Sequence, residues 1–349
     1  MKALVLERDK VLKVKEWPVP KAPAPNSVLV RVVACGICGS DIPRGFGGKA
    51  YFYPLVMGHE FSGIVDEDRE GSPFRRGDRV VIFPLIPTNR REKAYQTGDY
   101  AQLKEYSYFG SRCDGGFSEY LRVPEENIFL IPDDVKLLHA AMTEPAAVAL
   151  HAVRKMRITA GDTGVVLGAG PIGNLTAQWL RIHGCQRVIV TDVDPRKLEI
   201  AEKMGFIPVN SAATDPVSRI MELTDGEGAQ RVVEAVGLPI TFLQAVKVAA
   251  RAGEVVFMGN IQGEFKIGEK DFSALLRREL TIYGTWNSKT VPTGTDDWST
   301  VLKYMDRELI VEPLISDVVK LHQAPAIFQS IVDRKAFHNK VIVQLAEDV

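Results

Sequence analysis

The apolar positions change rhythm along the chain. In the first third they come in short runs broken by Gly and Pro: residues 28–34, 63–65 and 79–82 are rich in Val and Ile and read as strands. Turn signals at Pro18, Pro20, Pro23, Pro25 and Gly77-Asp78 punctuate this region, and the mixture predicts a small, irregular, mostly antiparallel barrel. From about Thr163 the pattern alternates. Val165-Val166-Leu167 leads into a helical stretch through Trp179, and Val188-Ile189-Val190 into another through Met204. Residues 232–235 and 255–258 supply further buried strands. Such alternation builds a parallel, doubly wound sheet, because each parallel connection needs a crossover. After about Val291 a helical stretch precedes Lys340-Val341-Ile342-Val343, a strand that can return to the first domain. The expected class is α/β, with a mostly antiparallel first domain over 1–150, a parallel-sheet second domain over 151–290 and a return to the first over 291–349.

Composition narrows the function classes. The 349 residues suffice for two cores, and 46% hydrophobic with 25% charged residues is an ordinary globular balance. A net charge of -1 points to neither nucleic acid nor an acidic membrane surface as partner. No apolar run approaches the roughly 20 residues that cross a bilayer, and the start, Met1 to Glu7, reads as a first strand rather than a signal peptide. Cys35, Cys38, Cys113 and Cys185 are too few and scattered for a disulfide framework, so a reducing cytoplasm is expected.

The clearest motif is Gly168-Ala169-Gly170-Pro171-Ile172-Gly173, which follows a strand and opens a helix. Its first glycine permits the tight turn, the second lets backbone approach a pyrophosphate, and the third allows close helix–strand packing. Phosphates rest on the helix N-terminus, where free N–H groups and the dipole favour anions. The next strand ends in Asp192, placed to accept hydrogen bonds from a ribose with free hydroxyls and to repel a 2′-phosphate. NAD is therefore expected over NADP, although Arg196 and Lys197 nearby can tolerate the phosphate. A glycine-rich turn without a ligand is the plainer alternative.

A second set of residues suggests a metal. Cys35-Gly36-Ile37-Cys38 looks like half of a zinc knuckle, but no second such pair follows, which excludes a four-cysteine structural site. Gly58-His59-Glu60 supplies a histidine and a carboxylate, and Thr143-Glu144-Pro145 adds an acid at a helix start. Singly, each has a structural explanation: Cys38 as a small core residue, His59 as a turn histidine, Glu144 as an acid favoured by the helix dipole. Together with Cys38-Gly39-Ser40-Asp41, Asp114-Gly115-Gly116-Phe117-Ser118-Glu119-Tyr120 and the glycine fingerprint, they resemble the zinc-containing medium-chain dehydrogenase/reductase family over nearly the whole chain. Within it, Cys38-Gly39-Ser40-Asp41-Ile42-Pro43-Arg44, Gly110-Ser111-Arg112-Cys113-Asp114 and Gly284-Thr285-Trp286-Asn287 resemble a polyol-phosphate branch.

The resemblance implies a GroES-like catalytic domain beside a Rossmann domain and one catalytic zinc held by Cys38 and His59, with Glu60 and Glu144 in or beside its coordination shell. It implies Ser40 as the hydroxyl that carries the alcohol's proton, with Glu60 also at the catalytic centre, and Val236 and Gly259 as further cofactor contacts. The implied reaction oxidises a secondary alcohol of a polyol or polyol phosphate to a ketose, in a homo-oligomeric enzyme. Arg44 is the candidate for a substrate phosphate, since its planar fork suits that group and the glycine-rich Gly45-Phe46-Gly47-Gly48 beside it can bend round a ligand. Two features depart from the family. Pro43 stands where many members carry a relay histidine, and residues 88–102 contain none of the four cysteines of a structural zinc loop. Salt bridges or a partner subunit are expected to hold that segment instead. A free-polyol dehydrogenase, a zinc-less quinone-type reductase and a non-catalytic NAD-binding protein remain as alternatives.

Overall fold

The computed structural model describes residues 1–20, 26–291 and 295–347. The turn signals at Pro23 and Pro25 lie outside the described residues. The chain divides into two compact units, Met1–Glu144 with Lys289–Val349, and Pro145–Ser288. The first division falls within the helix Thr143–Val153, earlier than residue 150.

The first unit is built around the strand Ser27–Gly36, whose alternate Val28, Val30 and Val32 are fully buried. It pairs antiparallel with three strands: Glu60–Val65, Tyr120–Pro124 and the C-terminal Lys340–Gln344. The sheet runs Ile128–Leu130, Arg79–Ile82, Glu60–Val65, Ser27–Gly36, Lys340–Gln344, Ile315–Lys320, and within this order the last pair alone is parallel. A smaller sheet of Val11–Glu16, Lys2–Arg8 and Leu55–Val56 and a two-stranded ribbon, Leu85–Pro87 with Tyr106–Tyr108, complete the β structure of the unit's described residues. Two registers bring the C-terminal strand and Glu60 to the same glycine. Gly36 sits opposite Glu60, and on the other side of the same strand Ile342 sits opposite Gly36.

The cysteine-free segment is held by rings and ion pairs. Tyr95 stacks on Tyr100 at 5.2 Å, Tyr100 approaches Phe83, and Phe83 meets the buried Trp298 edge-on at 5.3 Å. Arg90 and the Tyr95 hydroxyl both bond Glu126, and Lys289 pairs with Asp99 at 2.8 Å.

The second unit is a six-stranded parallel sheet in the order Ile207–Asn210, Arg187–Asp192, Thr163–Leu167, Ala229–Glu234, Ala249–Phe257, Thr281–Gly284. The order reverses direction beside Thr163–Leu167, where a doubly wound sheet opens its ligand crevice. That strand is buried on both faces, as its unbroken Val-Val-Leu run demands.

Candidate active site

In the second unit the helix Pro171–Ile182 starts directly after the strand Thr163–Leu167, with Gly170 as its N-cap and Pro171 in its first turn. A Cβ on Gly173 would sit 1.8 Å from the Gly168 carbonyl oxygen, so only glycine lets the helix pack this close to the turn. Asp192 ends its strand with both oxygens engaged: Oδ2 accepts from the Ala169 amide at 2.9 Å and Oδ1 from the Asp194 amide at 3.0 Å. The acid is thereby fixed against the fingerprint turn. Lys197 lies 3.8 Å from it, whereas the Arg196 guanidinium is bound by Asp194, the N-cap of the helix Pro195–Lys203. Ile172 is half-buried in the first helical turn.

Val236 and Gly259 converge on a residue that sequence reasoning passed over. Glu234, fully buried at the end of its strand, accepts through Oε1 from the amides of Val236 and Gly237 and from the Thr241 hydroxyl, at 2.6–2.9 Å. The Gly259 amide donates to the Glu234 carbonyl.

In the first unit the strand–turn–helix path places the metal candidates. Cys38 follows the end of Ser27–Gly36, Glu60 opens the neighbouring strand, and His59 precedes it. Cross-strand pairing therefore brings residues far apart in sequence to one sheet end. Donor atoms of Cys38, His59 and Glu60 all lie within 4.8 Å of one another, the one such group among the described residues. Glu144 is buried nearby and accepts from the Tyr108 hydroxyl at 3.2 Å, and the Tyr108 and His59 rings are 5.7 Å apart. Ser40 is exposed, and its amide donates to Cys38 Sγ at 3.5 Å.

Three further charges surround the cluster. Lys340 Nζ is buried and donates to Glu60 Oε2 at 2.6 Å and to the Ile37 carbonyl at 3.2 Å. The fully buried Asp41 lies 3.6 Å from His59 Nδ1, and Arg44 pairs with Asp41 at 2.7 Å. Gly36 is needed here as well, because a Cβ would fall 2.2 Å from Glu60 Oε2. The ionisation of Glu144, His59, Asp41 and Lys340 is shifted. Burial pushes the Glu144 carboxyl up to about 7, with His59 opposing and Glu60 reinforcing the shift. Burial disfavours a charged His59, yet Cys38 and Asp41 outweigh it and hold the imidazole well above its usual range. Burial likewise opposes charge on Asp41 and Lys340, and their ionic neighbours prevail in both: Asp41 titrates low, Lys340 high.

The residues fit zinc. One sulfur, one imidazole and a carboxylate form a mixed donor set of the kind zinc accepts. His59 Nδ1 is buried without a hydrogen bond and turned towards Asp41, as in a metal-binding histidine whose second nitrogen is steered by a carboxylate.

Arg44 differs from expectation. The sequence predicts a glycine-rich stretch that bends round a ligand, but Asp41–Phe46 is a short helix. The arginine side chain is 14% exposed and committed to Asp41, because a buried carboxylate demands a partner.

Comparison with known proteins agrees with this geometry. Residues 24–133 match the alcohol dehydrogenase GroES-like domain and residues 171–307 the zinc-binding dehydrogenase family. Galactitol 1-phosphate 5-dehydrogenase of Escherichia coli is 32% identical over 319 residues, 90% of this chain and 92% of that protein. (R,R)-butanediol dehydrogenase of Bacillus subtilis is 34% identical over 81% of this chain and 84% of its own, and sorbitol dehydrogenase of the same organism 30% identical over 85% of each. Among solved structures, galactitol-1-phosphate dehydrogenase from Escherichia coli superimposes with a TM-score of 0.91 at 31% identity, covering 99% of this chain and 100% of that one. A zinc-binding dehydrogenase from Sinorhizobium meliloti bound to NADP gives 0.88 at 31% identity, covering 99% of each chain. With its GroES-like domain, its parallel Rossmann sheet and this zinc-type donor set, the chain belongs to the zinc-containing medium-chain dehydrogenase/reductase family, as an oxidoreductase of its alcohol and polyol dehydrogenase group.

Proposed function

We propose that this protein oxidises a secondary alcohol of a polyol or polyol phosphate to the ketose, with NAD as hydride acceptor and one zinc per chain. The observation that carries the reading is the Cys38–His59–Glu60 cluster beside buried Glu144. Cys38, His59 and a carboxylate would hold the metal, with Glu60 restrained by Lys340 and Glu144 by Tyr108. Zinc bound there supplies Lewis acidity that lowers the pKa of an alcohol hydroxyl, and the nicotinamide accepts the hydride. The exposed Ser40 hydroxyl, able to donate and accept, passes the alcohol's proton towards solvent. With Pro43 in place of a relay histidine, that proton reaches water directly. Asp192 favours NAD by accepting from ribose hydroxyls and repelling a 2′-phosphate.

Metal analysis together with an activity screen tests this reading. One zinc per chain, lost in Cys38→Ser, and NAD reduction by polyols or their phosphates are expected. Two zincs per chain, or no polyol oxidation by a zinc-loaded protein, overturns it. We also place the protein in the cytoplasm as a homo-oligomer; all four cysteines are free thiols, and no described helix is long and apolar enough to cross a membrane.

A further inference from the structure

The ribbon strand Tyr106–Tyr108 sends the side chains of Tyr106 and Tyr108 to one face, because residues two apart share a side of a strand. Tyr108 belongs to the metal-site wall through Glu144 and His59. The Tyr106 ring lies 6.5 Å further along. Beyond it comes Arg112, whose guanidinium carbon is 4.3 Å from the Tyr106 ring centre and 5.2 Å from that of Tyr51. The arginine thus lies over two aromatic rings. The chain returns it to this place in a tight turn: its amide donates to the Tyr108 carbonyl at 2.9 Å, and its NH1 to the Tyr106 carbonyl at 2.6 Å.

Arg112 differs from Arg44 in the two respects that govern anion binding. It is exposed, and among the described residues no carboxylate lies within 4.0 Å of it. Four of its five N–H donors remain after the bond to Tyr106. Contact with both rings and the bond to the Tyr106 carbonyl restrain the fork before a ligand arrives, which reduces the entropy lost on binding.

The geometry points to Arg112 as a specificity-determining residue that binds a phosphate monoester at the end of the substrate remote from the reacting hydroxyl, with Tyr51 and Tyr106 as its clamp. This rests on the polyol dehydrogenase reading and assigns the phosphorylated class of substrate within it. A phosphate dianion offers more charge and more acceptor oxygens than a carboxylate to an arginine that is open to solvent.

The test compares wild type, Arg112→Met, Arg112→Lys and Tyr51→Leu as zinc-loaded proteins with NAD. Substrates are a hexitol, its terminal phosphate and the corresponding aldonate. Wild type is expected to favour the phosphate at least tenfold in kcat/KM. Arg112→Met should raise KM for the phosphate about ten- to a hundredfold with a much smaller change in kcat, and this loss should exceed that for the hexitol tenfold or more. Lysine should recover part of the loss, and Tyr51→Leu should fall between wild type and Arg112→Met. Equal losses for hexitol and phosphate in Arg112→Met, or a wild type that prefers the aldonate, overturns the assignment while leaving the polyol reading intact. Calorimetric titration with inorganic phosphate decides the matter independently of turnover: binding to wild type weakened tenfold or more in Arg112→Met supports the assignment, and equal binding or none overturns it. A protein that binds phosphate through Arg112 but oxidises no polyol would mark failure of the polyol reading instead.

Discussion

Two single atoms govern the residue scale, the missing Cβ of Gly36 and the charge of Asp192. Gly36 is hemmed into a central strand between two partners, so its backbone cannot yield. In Gly36→Ala the new methyl group must displace Glu60 Oε2 and disturb its 2.6 Å bond to Lys340. We expect lower zinc retention after dialysis and a stability loss of about 1–3 kcal/mol, typical of overpacking. Full zinc retention in that variant would show that Glu60 has no part in holding the metal. Asp192→Ser removes the carboxylate proposed to meet the ribose while Lys197 remains 3.8 Å from that carboxylate's position. The ratio of kcat/KM for NAD to that for NADP should fall tenfold or more. A wild type that already prefers NADP would mean that the lysine outweighs the acid.

At the scale of elements, the strands of the first unit's main sheet are stapled by charge as well as by ladder bonds. Glu67 lies just beyond the strand Glu60–Val65, accepts from the Leu29 amide at 2.8 Å and forms a two-pronged pair with Arg122 at 2.6 and 3.1 Å. One carboxylate thus joins three neighbouring strands. The Arg122 guanidinium holds its carboxyl below the usual carboxylate range, with the Leu29 amide adding to the effect against partial burial. A group whose folded pKa is depressed contributes stability above its unfolded pKa, roughly 4.3, and loses that contribution as pH falls through the folded value. Glu67→Gln should therefore be less stable than wild type at pH 7 by about 1 kcal/mol, and the two should converge below about pH 4. Urea midpoints measured across that range check it; a gap constant down to pH 3 contradicts it. The segment 88–102 follows the same logic, with the Tyr95–Tyr100 stack and Glu126 supplying local order without cysteines.

At the scale of the whole molecule, one surface of the second unit is suited to assembly. The helix Glu269–Arg277 has no buried residue, and Phe272 and Leu276, one turn apart, are 49% and 60% exposed. The edge strand Thr281–Gly284 beside Ala249–Phe257 adds exposed Ile282, and among the described residues no strand pairs with its outer side. Apolar side chains beside an open sheet edge suit a second copy of the same surface. Leu276→Glu should shift sedimentation or light-scattering mass towards the monomer while leaving NAD binding in place. A monomeric wild type, or an unchanged oligomer in this variant, would rule that surface out.

Local pattern sufficed wherever neighbours in sequence are neighbours in space. The change from punctuated runs to strand–helix alternation separated a mostly antiparallel domain from a parallel sheet, since side-chain period follows backbone geometry. The fingerprint turn and Asp192 were legible because one strand–turn–helix unit and the adjacent strand contain them. Cys38, His59 and Glu144 were legible as ligand types, and the resemblance joined them. Their surroundings were not legible. Lys340 reaches Glu60 across 280 residues, through a strand that returns to the central sheet, and no local period encodes that partner. Asp41 stood in the quoted motif, but its burial, and the demand that burial places on Arg44, exist only once the short helix packs against the sheet. Tyr108 and Arg112 lie in plain sight as an aromatic and a base. Only the fold of the ribbon and its turn decides that one faces the metal donors and the other solvent, because ring contacts depend on which residues the tertiary structure brings face to face.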